Sequence, residues 1–478
     1  MVSLSDYQNF GEGFGIGSIN DVIELNKALN TGGYSQAGGV DARTGGAPLI
    51  VESLENSLKV LTFQDQHVKF WKKIYKQPAY STVEEYNQLI SYGSEGGGFV
   101  PEGALPDVED SVYKRKASFV KFLGTTRSVT HPMTLVRTAH GDVIARENQN
   151  GILWIMKKVE NALFWGNSSL AALEQEGYQF DGLDRLIDNK NVIDLAGKDL
   201  EDKHINYGAQ MILENYGTPT DLFLPFETLA KFSEMFFPKE RVIMPTQGAG
   251  YRAGLVVNKF QTHGGEVEFM PDLFIQKTKV LPEQATGGVN SPTAPAKIEG
   301  VVNSSATTGQ WGKSGGSGLY TYYVTAVNRH GESLPAVLNA PVAIAAEEVE
   351  NSIDLTITNA AQVNVAPDYF RIYRTERDGT IAYCIAEVPA ANISNNGQTT
   401  YRDFNFKMPN TYTAFMGEFT PEVIAFKQLA PIMKMDLAVL APAYRWMILL
   451  YGVLQLYAPR KWMKFVNIKA EAQFGIMP

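Results

Sequence analysis

The 478-residue chain has one cysteine, Cys384, and six histidines, and acidic residues outnumber basic ones. One thiol cannot form an intramolecular disulfide, so the fold does not depend on oxidation, which suits synthesis in a reducing cytoplasm. His67, His131, His140, His204, His263 and His330 are scattered, and none stands at metal-ligand spacing from another or from the cysteine. The HExxH and GxSxG patterns are absent. A net charge of −9 argues against a dedicated nucleic-acid binder, which needs a basic face to neutralise phosphates. Long apolar runs are missing too. The longest, AYRWMILLYGVLQLY at 443–457, falls short of the roughly 20 residues of a membrane helix. Arg445 and Gln455 also interrupt it, so it reads as buried strand. The opening stretch MVSLSDYQNFGEGFGIG has neither a basic nor an apolar region, and no secretory signal is expected in it.

What remains is the composition of a folded protein: 44% hydrophobic and 19% charged residues. Its length suits about two to four domains. Two glycine-bearing stretches superficially resemble phosphate loops. Residues 11–17, GEGFGIG, follow no strand, and Gly312-Lys313-Ser314 has Thr307 where the first glycine should stand, so it is predicted to be a β-turn. The acidic groups Glu347, Glu348, Glu350 and Glu102, Asp107, Glu109, Asp110 lie in polar, loop-like sequence. A catalytic carboxylate pair needs one buried partner. No catalytic residue, cofactor site or metal site is therefore assigned.

Residues 1–50 are rich in Gly, Ser and Asn, have one helical candidate at 19–29, and read as an extended arm. A long helix is predicted over 142–165, where Ile152, Ile155, Met156, Val159 and Leu163 make one apolar stripe and Gly166 is a stop. Strands at 193–194, 221–224 and 267–275 alternate with helices at 201–216 and 226–237, an α+β arrangement. A Pro/Gly/Ser-rich linker begins at Pro282. From 298 to 406 the pattern turns all-β. LYTYYVTAVN sets Tyr320, Tyr322, Val324 and Ala326 against Thr321, Tyr323 and Thr325, and SIDLTITN alternates likewise, as in a β-sandwich. The apolar segment 415–478 is too short to bury itself and must pack on earlier elements. A main body interrupted by a sandwich between its penultimate and final strands is the simplest organisation.

Residues 80–130 carry the pattern of a two-stranded arm. STVEEYNQLISY leads out, GSEGGGFVPEGALPD forms a Gly-rich tip, and the return runs through DSVYKRKASFVKFLGTTRSVT. At about 3.3 Å per residue it would reach roughly 40 Å or more. Neither strand alternates cleanly, so neither is made for its own core. Between 94 and 113 lie five acids, Glu95, Glu102, Asp107, Glu109 and Asp110, and no Lys or Arg; Lys114, Arg115, Lys116, Lys121 and Arg127 follow. An acidic tip beside a basic stem suits pairing between identical copies, setting register more than strength.

In order, these elements resemble the major capsid protein of tailed bacteriophages, the Hong Kong 97-like coat fold. FWKKIYKQPAYSTVEEYNQ (70–88), ALFWGNSSL with QFDGLDRLIDNKNVIDLAGKDL (162–200), and YGVLQLYAPRKWMKFVNI (451–468) resemble segments of that protein in large contractile-tailed phages of Gram-positive bacteria. The resemblance covers about 54–281 and 417–468. YTYYVTAVNRHGESLPA (320–336) is similar to a fibronectin type III or immunoglobulin-like strand ending in a turn.

The resemblance implies an N-terminal arm at 1–53, an entry segment at 54–77 and an extended loop at 78–131. A peripheral domain with a spine helix follows at 132–192, an axial domain at 193–285, an inserted immunoglobulin-like sandwich at 286–410, and return strands at 411–478. It implies a non-enzymatic virion protein, made in the bacterial cytoplasm, whose hexamers and pentamers close an icosahedral head around double-stranded DNA. Portal, scaffold or decoration proteins would be partners, and a membrane would not. The sandwich would stand off the shell. Some relatives crosslink through a lysine, but the tip has none, so its contacts are expected to be non-covalent. An encapsulin-like shell and a surface adhesin are the competing readings.

Overall fold

A computed structural model describes residues 62–93, 98–106, 108–136, 138, 141–170, 179–236, 257–275, 279–285, 291–305, 308–314, 316–360, 366–390, 397–439 and 441–470. The chain divides into two compact units, 1–61 with 135–143 and 62–134 with 144–478. Nearly all of the first, including the expected N-terminal arm and the glycine run at 11–17, lies outside the described residues. The second holds the body and the region read as a sandwich.

Its body has two sheets. The strands in chain order are β1 (Lys76–Pro78), β2 (Val83–Ser91), β3 (Val112–Phe119), β4 (Lys121–Thr130), β5 (Val192–Asp194), β6 (Asp221–Leu224), β7 (Lys259–Thr262) and β8 (Gly265–Pro271). β9 (Lys297–Asn303) to β18 (Gln398–Asp403) follow in the region read as a sandwich, and the chain then returns to the body through β19 (Thr411–Gly417), β20 (Ile424–Asp436), β21 (Ala443–Leu456) and β22 (Trp462–Lys469). One sheet runs β1-β20-β21-β4, the other β5-β22-β19-β6-β8-β7. Four body strands, not one, follow the sandwich.

The three longest helices among the described residues are α1 (Val143–Trp165), α2 (Asp202–Glu214) and α3 (Phe226–Phe236). The predicted stripe of α1 is buried at Ile155, Val159 and Leu163. Gly151 lets α1 approach the four-stranded sheet closely, because a Cβ there would sit 2.4 Å from Ile448 Cδ1. α2 starts on a reciprocal cap, in which the Glu201 amide donates to His204 Nδ1 at 3.1 Å. α2 and α3 cover the six-stranded sheet, with Ile205, Ala209, Ile212 and Phe232 packed among Leu222, Met416, Met463 and Phe465. The segment 443–457, read as strand, is β21 over Ala443–Leu456. No helix among the described residues is long and apolar enough to cross a membrane.

Residues 297–403 form two facing sheets over one core. β15 (Ser352–Thr358) lies between β18 and β9 in one. β11 (Tyr322–Asn328), β16 (Tyr369–Thr375) and β17 (Ala382–Pro389) are the backbone of the other. The alternation seen in sequence is buried as expected at Tyr320, Tyr322, Val324, Ala326, Ile353, Leu355 and Ile357. Thr325 is also fully buried, because its hydroxyl donates to Glu332, which in turn accepts from Arg371 and Tyr373 of the neighbouring β16. The Gly312-Lys313-Ser314 stretch is not a β-turn but a one-turn 3-10 helix, Trp311–Ser314, held by the buried Trp311 ring.

The sandwich is pinned to the body. The incoming chain at 279–281 adds to the edge of β17: Cys384 N–H donates to the Lys279 carbonyl at 2.8 Å and Leu281 N–H to the Ala382 carbonyl at 3.0 Å. On exit, Asn467 Nδ2 donates to the Phe406 carbonyl at 2.9 Å and its Oδ1 accepts the Met408 amide at 2.9 Å. Lys313 reaches Asp194 at 3.3 Å. The sandwich is thus seated against β5, β22 and the linker of its own chain.

Candidate functional site

The arm is real but shorter than its sequence implies. β2 and β3 pair antiparallel from Val83↔Phe119 to Ser91↔Val112, with an irregularity between Leu89 and Ser91. The return strand then breaks at the buried Val120, whose amide donates to the Thr82 carbonyl at 2.8 Å. Beyond it β4 leaves the hairpin and pairs with β21. The paired strands therefore span about 30 Å before the tip, not 40 Å.

Cross-strand pairing puts Glu84, Tyr86 and Gln88 on one face with Ser118, Lys116 and Lys114. This face rests on the body. Tyr86 Oη donates to the Leu456 carbonyl at 3.3 Å, Gln88 Nε2 donates to the Tyr457 carbonyl, and the Tyr86 and Tyr457 rings meet edge-on with centroids 5.0 Å apart. Burial holds the Tyr86 hydroxyl above its ordinary pKa. The opposite face carries Val83, Leu89, Tyr113 and Phe119, all exposed, Phe119 at 54% and Tyr113 at 68%. At the tip Phe99, Leu105 and Val108 are almost wholly exposed. Large apolar side chains clustered on one protruding element mark an interaction surface rather than ordinary solvated hairpin.

The residues predicted to make contacts divide between these surfaces. Glu102, Glu109 and Asp110 are exposed near the tip, while Glu95 and Asp107 lie outside the described residues. Lys114 and the half-buried Lys116 sit on the body-facing side, opposite Gln88 and Tyr86. Arg115 is on the outer face and lies 3.3 Å from Glu85 of its own hairpin. The three basic stem residues do not make one patch.

The root of the arm is a polar and aromatic hub that sequence reading did not find. Phe70 packs against Phe164, Phe223 and Phe419, with centroids 4.9, 4.9 and 5.7 Å away, and Trp71 meets Phe426 at 4.8 Å. The helical turn Phe70–Lys73 is capped from outside by Glu160 of α1. Its carboxyl accepts the amides of Lys69, Phe70 and Trp71 at 2.8, 2.7 and 2.7 Å. Burial, then the neighbouring Asp272, push Glu160 up to about 8. Burial likewise raises Asp272. Lys73 pairs with Asp221 and, at 2.9 Å, with Glu268. Burial opposes its charge, but these two carboxylates outweigh that and raise it. The overlooked signal was a glutamate inside the apolar stripe, four residues from both Met156 and Phe164. Among the described residues no group of three or more His, Cys, Asp or Glu is placed to hold a metal ion.

Residues 70–282 match the family model described as SU10 major capsid protein. The chain is 28% identical over 420 residues to the major capsid protein of Staphylococcus phage S25-3, covering 87% of this chain and 89% of that one. The same identity and coverage hold for the major capsid protein of Staphylococcus phage K. A solved chain of Gordonia phage Cozz aligns over 92% of this chain and 98% of its own length, at 9% identity and a TM-score of 0.45.

Proposed function

We propose that this chain is a major capsid subunit of a phage, a structural protein of the virion that assembles with copies of itself. The observation that carries this is the two-faced hairpin: one face is seated on its own body, and the other presents Val83, Leu89, Tyr113 and Phe119, which stay exposed among the described residues. Similarity to phage major capsid proteins over 87% of the chain supports the same reading.

The finer reading follows the Hong Kong 97-like plan. The hairpin is the extended loop, α1 the spine helix of the peripheral domain, the six-stranded sheet the axial domain, and residues 297–403 an inserted immunoglobulin or fibronectin type III-like module. Hexamers and pentamers close an icosahedral head around double-stranded DNA, in company with portal and scaffold or decoration proteins. Such rings use heterologous contacts, in which the outer face of one hairpin lies on a different surface of the next subunit. Apolar contact then supplies the strength, and Glu102, Glu109 and Asp110 near the tip tune register without a covalent link.

Negative-stain microscopy of the purified chain tests this. Closed shells hundreds of Å across are expected, with nucleic acid inside particles from infected cells. A monodisperse monomer at high concentration overturns the proposal, and native shells filled with protein instead of nucleic acid would favour an encapsulin-like role.

A further inference from the structure

Two buried carboxyl groups meet where the hairpin is rooted. The oxygens of Glu160 receive three backbone amides, from Lys69, Phe70 and Trp71. Asp272 is 1% exposed; its Oδ1 accepts the Phe274 amide at 2.8 Å, whereas its Oδ2 is buried and takes no N–H or O–H donor. The two carboxyl groups are neighbours, and each alters the other's hold on a proton. Two carboxylates cannot both be charged at such a contact, because neither burial nor their mutual repulsion is relieved. One proton resolves the geometry. Held between the two carboxyls, it supplies the donor that the buried Asp272 Oδ2 lacks, while the three amides fix the Glu160 oxygens. The charged groups facing the pair are Lys69 towards Asp272 and Lys76 towards Glu160. Lys72 and Lys73 of the same turn are engaged elsewhere, with Asp65 and with Asp221 and Glu268.

We propose that one proton held between Glu160 and Asp272 locks the root of the hairpin to α1, and that raising the pH loosens this root by drawing the proton off. The turn Phe70–Lys73 leads through Ile74 into β1, which pairs with β20 and continues into β2, so loosening the turn removes one support of the hairpin's root and leaves both sheets paired. The sign is fixed by linkage. When the turn opens, the pair returns to ordinary carboxyl behaviour, near 4.5, and loses the proton that the closed root keeps to about 8. Closure is strongest in acid, weakens across that interval and levels off above it. One proton corresponds to about tenfold in the opening equilibrium per pH unit.

Hydrogen exchange of the full-length, unassembled chain reads this directly at the amides of Phe70 and Trp71. After correction for intrinsic rates, their protection should fall about a hundredfold between pH 5.5 and 7.5 and stay flat above about 8. Amides of β15 in the sandwich should not follow. Asp272→Asn keeps a donor for Glu160 and removes the second charge, so its protection should be higher at pH 7.5 and fall less steeply with pH than that of the wild type. Glu160→Gln, with fewer acceptor sites, should exchange fast throughout. Equal protection of the wild type at both pH values, a slope shared by β15, or an unchanged slope in Asp272→Asn would each overturn the proton lock.

Discussion

At the scale of single residues, the charged groups that matter are those the fold has taken out of water. Arg374 is 1% exposed, with its guanidinium on Asp403 and Asn405 and 4.7 Å from the centre of the Trp311 ring. Tyr322 Oη donates to the same Asp403 carboxylate at 2.8 Å. Burial opposes the arginine's charge, but Asp403 more than offsets it and keeps the guanidinium ionised. Replacing Arg374 by Met retains most of the stem packing yet strands Asp403 as a buried charge. That should cost about 3–5 kcal/mol. Calorimetry should show the loss, and Arg374→Met/Asp403→Leu should recover much of it, because an apolar pair of similar volume needs no partner. None of this was legible beforehand. FRIYRT alternates as a strand should, and an arginine in it looks like any solvent-facing position until the second sheet closes over it.

At the scale of elements, periodicity located what local sequence determines and missed what distant partners determine. The helix at 142–165, the strand at 221–224 and the helix at 201–216 each carry their own apolar spacing, cap or stop, so they emerge within a residue or two as α1, β6 and α2. The return strand does not. Ser118, Phe119, Val120 and Lys121 contain no turn former, so the run looks continuous; the switch is imposed by β21, over three hundred residues away, which claims β4 but not β3. The hairpin's two faces now predict separable behaviour. Tyr86→Ala with Gln88→Ala removes the seating on Leu456 and Tyr457, and the unassembled chain should be nicked in the hairpin several times faster by a trace of protease. Leu89→Asp or Phe119→Asp should leave that rate unchanged. Each instead places a charge in the proposed contact, at a cost of about 2 kcal/mol or more per subunit, and shells should be lost from micrographs. A Leu89→Asp chain that still assembles like wild type would remove the outer face from the contact.

For the whole molecule, the question is how an insertion of this size leaves the body intact. The body's strands are interleaved across it: β6 and β8 precede the sandwich, and β19, which pairs with β6, follows. Neither sheet can close until the chain has passed through the sandwich and returned. The attachments that seat the sandwich are backbone pairing at 279–281, the Lys313–Asp194 ion pair and one asparagine, and none of them has a compositional signature. Asn467 ties the exit to both Phe406 and Met408 while also donating to Asp194 at 2.8 Å. Lys407, between them, places its ammonium 5.7 Å from the centre of the Trp165 ring at the end of α1. Two excisions, each bridged by a short Gly/Ser spacer, separate the sandwich from its seat. Removing residues 291–408 takes away both backbone partners of Asn467, whereas removing 291–405 keeps Phe406, Lys407 and Met408. Both bodies should fold, since the core of the six-stranded sheet contains no sandwich residue, but the longer excision should be less stable by about 1–3 kcal/mol, the cost of the two hydrogen bonds that the buried Asn467 amide loses. Thermal melts of the two should therefore differ by a few degrees while their far-UV spectra coincide. Equal melts would mean that the exit is held by β19 alone, and collapse of both bodies would mean that the sandwich is required for closing the sheets rather than seated on a body that closes without it.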